Sequence, residues 1–444
     1  MKSVLGIDIG TSSIAVVVLN ETKELLHARS LEHGADLPSP PDCDEQDSAV
    51  LVSVAEELIC GIPIEIRKSV SAVGVTGQMH GVVMLDNNLK SLSPLITWQD
   101  KRCKRDGFIQ SLRENTGYFQ HSGYGNSTLA WFVSHQKLPR RLQSAATIHD
   151  YYVALLTGSC RPVTDPTDAA SWGLFDLVSW EWDVEAIERA GIPLELLPRI
   201  RPSSSRAGFL CTRMAQNLGL PQGIPVAMAI GDQQASLLST LKEPEIELGL
   251  TLGTGGQLAA VLPTGFQADS LPESDTFDLR PYPESRFVLV GAVLCGGSAW
   301  FWLIETIENW LKDLGVVAPP RAEIYRRLND LGSAAGDNLR FGPHFSGERY
   351  DPDLSGSITG IDLNNFDLGS VSRALARGIF VNLKTMMPES VLSERKRIRG
   401  SGNALRFNPL LQDLTEQVFG LPLSMSEFGE EAACGAAINA TGIE

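Results

Sequence analysis

Positive charge is scarce in this chain of 444 residues: 37 lysines and arginines face 53 aspartates and glutamates, which gives a formal net charge of −16. That balance argues against a nucleic acid or an anionic membrane as the main partner. It also means that a polyphosphate ligand must be held by local groups. Those groups are backbone N–H donors, helix N-termini and a divalent metal ion.

Paired cysteines and long apolar runs are missing as well. The seven cysteines form no C-x-x-C pair and their number is odd, which is typical of a reduced protein with mostly buried thiols. Asp8 interrupts the first apolar run, so this run does not resemble a signal peptide. No apolar run reaches membrane-spanning length. We therefore expect a cytoplasmic globular protein with no membrane partner.

The two common nucleotide-binding motifs are also absent from the sequence. No G-x-x-x-x-G-K-[ST] occurs, and no G-x-G-x-x-G stands in the required strand-to-helix context. Other glycine turns follow predicted strands in the second half of the chain, at 253–256, 296–297 and 400–402. A glycine turn at a strand end lets the backbone approach an anion or a nucleotide closely. The sequence therefore predicts a nucleotide site built from several dispersed turns.

What the sequence does contain is one hairpin pattern that occurs twice. Residues 5–19 align without a gap with residues 248–262, so that Gly10 corresponds to Gly253. Each copy predicts a strand, a tight glycine–threonine turn and a second strand. Because the copies lie about half a chain apart, they indicate a duplicated domain.

One position differs in chemistry between the two copies. Asp8 of the first copy is replaced by Thr251 in the second. A carboxylate inside an apolar strand is costly unless it meets a partner or a metal ion. We interpret the two turns as a clamp on one phosphate chain, with Asp8 holding a cation on one side. Two ordinary hairpins with apolar strands are the alternative.

Candidate ligand-binding side chains follow a buried strand at Gly77-Gln-Met-His-Gly81, where Gln78 and His80 stand between glycines. Ligands of α/β sheets usually bind at such strand ends. Trp98 and Asp100 come next, in a Trp-Gln-Asp-Lys-Arg string whose aromatic, amide and acidic groups suit a polyhydroxylated ligand. The alternative for Gln78 and His80 is that they are loop residues whose hydrogen bonds are satisfied within the protein. The alternative for Trp98 is a position in the core, at a charged helix N-terminus.

A further acid, Asp232, follows the apolar strand at 225–230 in the string Gly231-Asp-Gln-Gln-Ala235. This places Asp232 at a strand-to-helix turn, in the N-cap position. A capping aspartate would stabilise the helix by about 1 kcal/mol. A carboxylate held ionised at a helix N-terminus could instead act as general base towards a substrate hydroxyl. The spacing alone leaves both interpretations open.

Taken in order, these landmarks resemble those of the FGGY carbohydrate kinases over nearly the whole chain, as do Ser346-Gly-Glu-Arg349 and Gly400-Ser-Gly402. The resemblance implies an α/β fold of two actin-like (ribonuclease H-like) domains with a central interdomain cleft. The charged segment 242–247 is the best boundary. We therefore predict a sugar-binding and catalytic domain at 1–242 and a nucleotide-binding domain at 243–444.

The resemblance also implies a role for each candidate residue. Asp232 would be the catalytic base, and Asp8 would hold Mg²⁺. The residues that would bind the sugar are Gln78, Met79, His80, Trp98, Asp100 and Asp232. The residues that would contact ATP are Thr11, Ser12, Gly253, Thr254, Gly255, Gly296, Gly297, Gly402, Asn403 and Arg406.

The implied activity is ATP-dependent phosphorylation of a ketose. The strings Thr97-Trp-Gln-Asp-Lys-Arg-Cys103 and Ala169-Ala-Ser-Trp-Gly173 favour the seven-carbon sugar sedoheptulose, and xylulose or another five-carbon ketose is the alternative. A non-catalytic nucleotide-binding regulator is more remote, because such a protein should lack Asp8 or Asp232. The partners implied are a small sugar and ATP, with no nucleic acid, and a homodimer is left open.

Overall fold

The computed structural model describes residues 2–271 and 274–443. In that part of the chain, no helix is both long enough and apolar enough to cross a lipid bilayer. The chain divides into two compact units. The first comprises Met1–Ser239, Pro281–Arg286 and Phe428–Glu444, and the second comprises Thr240–Arg280 and Phe287–Glu427. The predicted division into 1–242 and 243–444 differs from these units in two places, because Pro281–Arg286 and the C-terminal segment from Phe428 belong to the first unit.

Many strands of the first unit are only two or three residues long. Its strands are β1 (Ser3–Ile9), β2 (Ser13–Asn20), β3 (Leu25–Glu32), β4 (Glu45–Gln46), β5 (Val70–Gly77), β6 (Val83–Leu85), β7 (Leu95–Ile96), β8 (Ser144–Ala146), β9 (Val163–Thr164), β10 (Phe175–Asp176), β11 (Glu181–Trp182), β12 (Arg199–Ile200), β13 (Arg206–Phe209), β14 (Pro225–Ala227) and β15 (Ile230–Gly231). Its helices before residue 241 are α1 (Ser48–Cys60), α2 (Ile64–Ser69), α3 (Phe108–Thr116), α4 (Gly125–Ser134), α5 (Ile148–Thr157), α6 (Pro166–Ser171), α7 (Val184–Arg189), α8 (Thr212–Leu218) and α9 (Asp232–Thr240).

The remaining elements follow in chain order. The strands are β16 (Glu247–Leu252), β17 (Gly256–Val261), β18 (Phe277–Tyr282), β19 (Arg286–Val293), β20 (Arg340–Gly342), β21 (Ser357–Thr359), β22 (Arg397–Ser401) and β23 (Leu423–Met425). The helices are α10 (Gly297–Asp313), α11 (Arg321–Ala334), α12 (Leu368–Thr385), α13 (Glu389–Leu392), α14 (Asn403–Arg406), α15 (Pro409–Phe419) and α16 (Glu431–Asn439). Short 3₁₀ helices occur at Arg102–Gly107, Leu194–Leu196 and Ala268–Ser270.

The main sheet of the first unit has the strand order β13-β14-β5-β1-β2-β3, and β15 pairs with the end of β5. Strands β1, β2 and β3 form an antiparallel meander, while β5 runs parallel to β1. The register pairs Thr76 of β5 with Asp8 on one side and with Ile230 on the other. The carboxyl ends of β1, β5 and β15 therefore meet at one edge of this sheet.

The main sheet of the second unit has the order β18-β19-β17-β16-β22-β23. Here β16, β17 and β19 form the antiparallel meander, and β22 runs parallel to β16. Strands β16, β17, β19 and β22 thus have the same relative directions as β1, β2, β3 and β5, respectively. The gap-free repeat of the hairpin in the sequence is thus part of a repeat in sheet topology.

The last helix, α16, packs against β1, β2 and β5 of the first unit. Small residues permit this close contact. A Cβ atom at Gly6 would lie 2.0 Å from the carbonyl oxygen of Ala433, and one at Gly74 would lie 1.8 Å from that of Ala436. Because α16 completes this core, the C-terminal segment belongs to the first unit, although the sequence predicted it in the second.

We expect Gly74→Ala to lower the free energy of unfolding by about 1–3 kcal/mol, because the added methyl group would collide with the backbone of α16. Chemical denaturation followed by tryptophan fluorescence would measure the change. The matched control is Gly429→Ala, at an exposed position where a Cβ atom meets nothing within 4 Å. Equal stability of the two variants would contradict this packing of α16.

Candidate active site

The turn between β1 and β2, residues 10–13, is held by side chains from later in the chain. The carbonyl oxygen of Thr11 accepts hydrogen bonds from Nε2 of His33 and from Nε2 of Gln46, both at 2.8 Å. The indole N–H of Trp98 donates to Thr11 Oγ1 at 3.0 Å. Both serines of the turn are exposed. The turn is thus fixed through Thr11 and presents its serine hydroxyls outward.

Gln78 directly follows β5 and reaches the same turn. Its Nε2 atom donates to Gln46 Oε1 at 2.8 Å and to the Gly10 carbonyl at 3.4 Å. Its Oε1 atom is buried and has no hydrogen-bond partner among the described residues. A buried acceptor without a donor is costly, so this atom is a candidate for contact with a ligand hydroxyl.

His80 adopts a backbone conformation that is uncommon for a residue with a side chain, with φ at +73°. Its N–H donates to Ser171 Oγ at 3.2 Å, and its Nδ1 atom lies 2.6 Å from the Ser171 carbonyl oxygen. Because a carbonyl only accepts, Nδ1 carries the proton. The His80 ring stacks on Tyr124 with 4.8 Å between ring centroids. The neighbouring Met79 is buried against Gly231.

Trp98 and Asp100 have different surroundings. The Trp98 residue is 48% exposed, which excludes the core position left open by the sequence. The Asp100 carboxylate is buried and accepts hydrogen bonds from the backbone of Asp44 and from the backbone and guanidinium of Arg102. Both Asp100 oxygens are therefore occupied by contacts within the protein.

Asp8 lies near the carboxyl end of β1. Its Oδ1 atom is buried and has no hydrogen-bond partner among the described residues. Burial, followed by the negative charges of Asp232 and Glu430, raises the pKa of Asp8 to about 8. A cation beside this carboxylate would favour its ionised form.

The donor set around Asp8 fits Mg²⁺ better than a metal held entirely by protein. Within 2–271 and 274–443, no group of three or more histidine, cysteine or acidic side chains could hold a metal ion. Mg²⁺ commonly takes one or two carboxylates and completes its shell with water and substrate phosphates. The buried, unpartnered Oδ1 atom of Asp8 suits that mode of binding.

Asp232 is the first residue of α9, so the N-cap position predicted for it falls one residue earlier. It is half-buried and follows Gly231, whose N–H donates to Thr167 Oγ1 at 2.9 Å. Only β5 separates β15 from β1, so Asp232 and Asp8 extend from strand ends about 10 Å apart. The structure therefore brings two predicted site carboxylates to one edge of the sheet.

In the second unit, the three predicted glycine turns meet at one sheet edge. The N–H of Gly297 donates to the Gly253 carbonyl at 2.8 Å, and that of Gly296 donates to the Thr254 carbonyl at 3.0 Å. A Cβ atom at Gly402, where φ is +88°, would lie 2.4 Å from a backbone oxygen of β16. Only glycine allows the three turns to pack this closely.

The other ATP-contacting residues predicted in the second unit lie on the same turns or on α14. Thr254 and Asn403 are exposed, and Asn403 opens α14 directly after Gly402. Arg406 donates from Nη2 to the Ser426 carbonyl at 3.1 Å. The residues that this unit thus brings together are Gly253, Thr254, Gly255, Gly296, Gly297, Gly402, Asn403 and Arg406.

Several residues that support the turns of the two units were not predicted as site residues. Glu348 is buried and accepts from the Leu294 N–H at 3.2 Å and from Asn382 Nδ2 at 2.6 Å, which anchors the segment before Gly296. The string Ser346-Gly-Glu-Arg349 is the sequence signal from which Glu348 could have been predicted. Gln46 and the Thr167 hydroxyl carry no comparable local signal.

Nearly the whole chain matches models of one protein family. The model of the FGGY family of carbohydrate kinases, N-terminal domain, matches residues 3–239, and that of the C-terminal domain matches residues 249–441. The chain is 32% identical to sedoheptulokinase of Homo sapiens, with 98% of this chain and 96% of that protein covered. It is 27% identical to xylulose kinase of Lactococcus lactis, with 94% and 83% covered.

Solved structures agree on the fold. The crystal structure of xylulose kinase from Rhodospirillum rubrum matches with a TM-score of 0.83 at 22% identity and covers 99% of this chain and 89% of that one. Gluconate kinase from Lactobacillus acidophilus matches with a TM-score of 0.82 at 22% identity, over 99% and 88%. At these identities the likeness concerns the fold, and it confirms the predicted α/β fold of two actin-like domains.

We expect Asp8→Asn to raise the melting temperature of the ligand-free protein at pH 8. The unfolded carboxyl ionises near pH 4 and the folded one near pH 8, so the wild-type protein loses stability as the pH rises between these values. The neutral asparagine removes that loss, and the gain should be a few degrees.

Thermal unfolding between about pH 5 and pH 9, without Mg²⁺ or nucleotide, tests this pH dependence. The difference between variant and wild type should grow with pH. A constant difference would contradict the raised pKa of Asp8. Asp413→Asn, at an exposed position, is the matched control.

Proposed function

Because the chain belongs to the FGGY family of carbohydrate kinases, we propose that it phosphorylates a ketose with ATP and that sedoheptulose is its preferred acceptor. Phosphorylation of a sugar by ATP follows from the family. The seven-carbon ketose is supported by the identity to human sedoheptulokinase over nearly the full length of both chains.

The observation that best supports a transfer reaction is the placement of two carboxylates at one edge of the first unit's sheet. Asp8 lies at the end of β1, and Asp232 follows β15, with β5 between them. One acid can hold a cation beside the transferred phosphoryl group, while the other accepts a proton from the attacking hydroxyl. A separation of about two strands leaves room for the reacting atoms between them.

In this proposal Asp232 accepts the proton of the sugar hydroxyl while the hydroxyl oxygen attacks the γ-phosphorus of ATP. The bond between the γ-phosphorus and the β,γ-bridging oxygen breaks, and ADP leaves. Asp232 lies in the first turn of α9, where the partial positive charge of the helix N-terminus attracts a carboxylate. Asp8 would hold Mg²⁺, which when bound neutralises negative charge on the phosphate oxygens. Most of the rate enhancement then comes from positioning and electrostatic stabilisation.

The sugar-binding roles rest on groups at the end of β5 and nearby. Gln78 offers a buried carbonyl oxygen to a sugar hydroxyl. The His80 ring with its proton on Nδ1 has Nε2 as an acceptor when neutral, and Trp98 offers an exposed aromatic face. A role for Asp100 is supported only by the family motif, because its oxygens are occupied by Arg102 and Asp44.

Several expectations stay predictions. They include the central cleft, the contact of Thr11, Ser12 and the glycine turns with one triphosphate, a homodimer and a cytoplasmic location. A five-carbon acceptor is the second candidate, because a xylulose kinase of Lactococcus lactis is 27% identical over 94% of this chain.

We expect kcat/KM for sedoheptulose to exceed the values for D-xylulose, D-ribulose, gluconate and glycerol by at least about tenfold. A coupled assay of ADP release with each acceptor would measure this ratio. A higher value for D-xylulose would contradict the preferred acceptor and favour a pentulose kinase. ADP release that does not depend on any sugar would favour the nucleotide-binding regulator.

We expect Asp232→Asn to fold normally and to lose about 10²–10⁴-fold in kcat, because the amide cannot accept the hydroxyl proton. Circular dichroism and the melting temperature would verify folding, and steady-state kinetics with the preferred ketose would give kcat. Asp413→Asn on the surface should keep the wild-type rate. Activity retained by Asp232→Asn would exclude this residue as the base.

A further inference from the structure

Helix α6, Pro166–Ser171, connects two residues with proposed roles on the substrate side of the reaction. Thr167 contacts Gly231, which precedes the base, and Ser171 contacts His80. Both hydroxyl-bearing residues are buried. The Thr164–Ser171 segment is rich in polar residues, yet the proposed chemistry uses none of them.

The first turn of α6 holds the backbone directly before the base. Thr167 Oγ1 accepts from the Gly231 N–H at 2.9 Å and donates to Asp165 Oδ1 at 2.7 Å. Asp165 in turn caps α6 by accepting from the Asp168 N–H at 3.0 Å. The Thr167 hydroxyl is therefore oriented from both sides, and it fixes the peptide from which Asp232 extends.

The last turn of α6 holds the proposed sugar-binding histidine. Ser171 Oγ accepts from the His80 N–H at 3.2 Å and donates to the Asp168 carbonyl at 2.8 Å. The Ser171 carbonyl accepts from His80 Nδ1. A residue with φ at +73° needs such support, because this conformation is costly for side chains other than glycine.

A buried hydrogen bond between the side chains of His149 and Asp168 holds α6 itself in place. His149 Nε2 of α5 lies 2.6 Å from Asp168 Oδ2, and both side chains are fully buried. The ring lies beside the end of β5, since a Cβ atom at Gly77 would be 3.0 Å from His149 Nδ1. Fixing Asp168 fixes the rotation of α6 about its axis, and hence the directions of its other side chains.

Thr167 and Ser171 are four residues apart, so they lie on the same side of the helix. We propose that they are positioning residues for the phosphoryl transfer, Thr167 for the base Asp232 and Ser171 for His80. The inference rests on the proposed roles of Asp232 and His80. One short helix would then keep the base and the sugar at a constant separation. Small displacements of the base from the reacting hydroxyl lower the rate strongly.

The two ends of the helix should affect different kinetic constants. We expect Thr167→Val to lower kcat at least about tenfold with the KM for the ketose within about twofold, because the base shifts while His80 stays. Ser171→Ala should raise that KM about threefold or more with a smaller loss in kcat. Thr167→Ser keeps the hydroxyl and should restore kcat.

Matched controls come from buried hydroxyls in the second unit. Thr415 Oγ1 and Ser372 Oγ donate to the backbone of their own helices, at Leu411 and Leu368. Thr415→Val and Ser372→Ala should leave kcat and KM unchanged. If Thr167→Val does not fold, Thr167→Ala removes the same hydroxyl without a branched side chain and gives the same comparison.

The outcomes separate this inference from the proposed function. Variants of Thr167 and Ser171 that change only the melting temperature, or that change the same kinetic constant, would overturn the positioning roles. Asp232→Asn and His80→Ala are measured in parallel. If Asp232→Asn stays active, the proposed base is wrong. If it is inactive while Thr167→Val behaves like Thr415→Val, only the positioning role is wrong.

Discussion

The first unit contains a carboxylate, Asp8, whose hydrogen-bonding capacity is not filled by the described part of the protein. The Oδ1 atom of Asp8 is buried at a strand end and receives no hydrogen bond from the residues that the structure describes, and the nearby charge of Asp232 adds repulsion. Such a group lowers the stability of the unliganded fold. A cation and a phosphate chain bound there would stabilise the folded state by mass action. The turn at Thr11 and the start of α9 lie at the same edge of this sheet.

The hairpins and glycine turns could be predicted because their signals are local. A gap-free repeat, a glycine–threonine turn and apolar strands on either side specify β1–β2 and β16–β17, and the two sheets share the same strand directions. The supporting residues could not be predicted in this way. Gln46 meets Gln78 across 32 residues, and Thr167 meets Gly231 across 64, so no short window of sequence contains either contact.

Residues of one sequence motif also differ in whether their side chains are available to a ligand. Trp98 and Asp100 stand two positions apart in the same family string, but one is about half exposed and the other is enclosed by Arg102 and the backbone of Asp44. Residue types in a motif indicate that a site is near. They do not show which hydrogen-bonding groups are already satisfied by the protein, because that depends on partners from other segments.

The position of α16 has a consequence for how the chain acquires its structure. This helix covers β1 and β5, which are made more than 350 residues earlier in the sequence. During synthesis, those strands therefore emerge from the ribosome long before the element that closes one face of their sheet. The intervening unit has its own sheet and can fold first. The face of the sheet that α16 covers therefore cannot be closed before residues 431–439 have been synthesised.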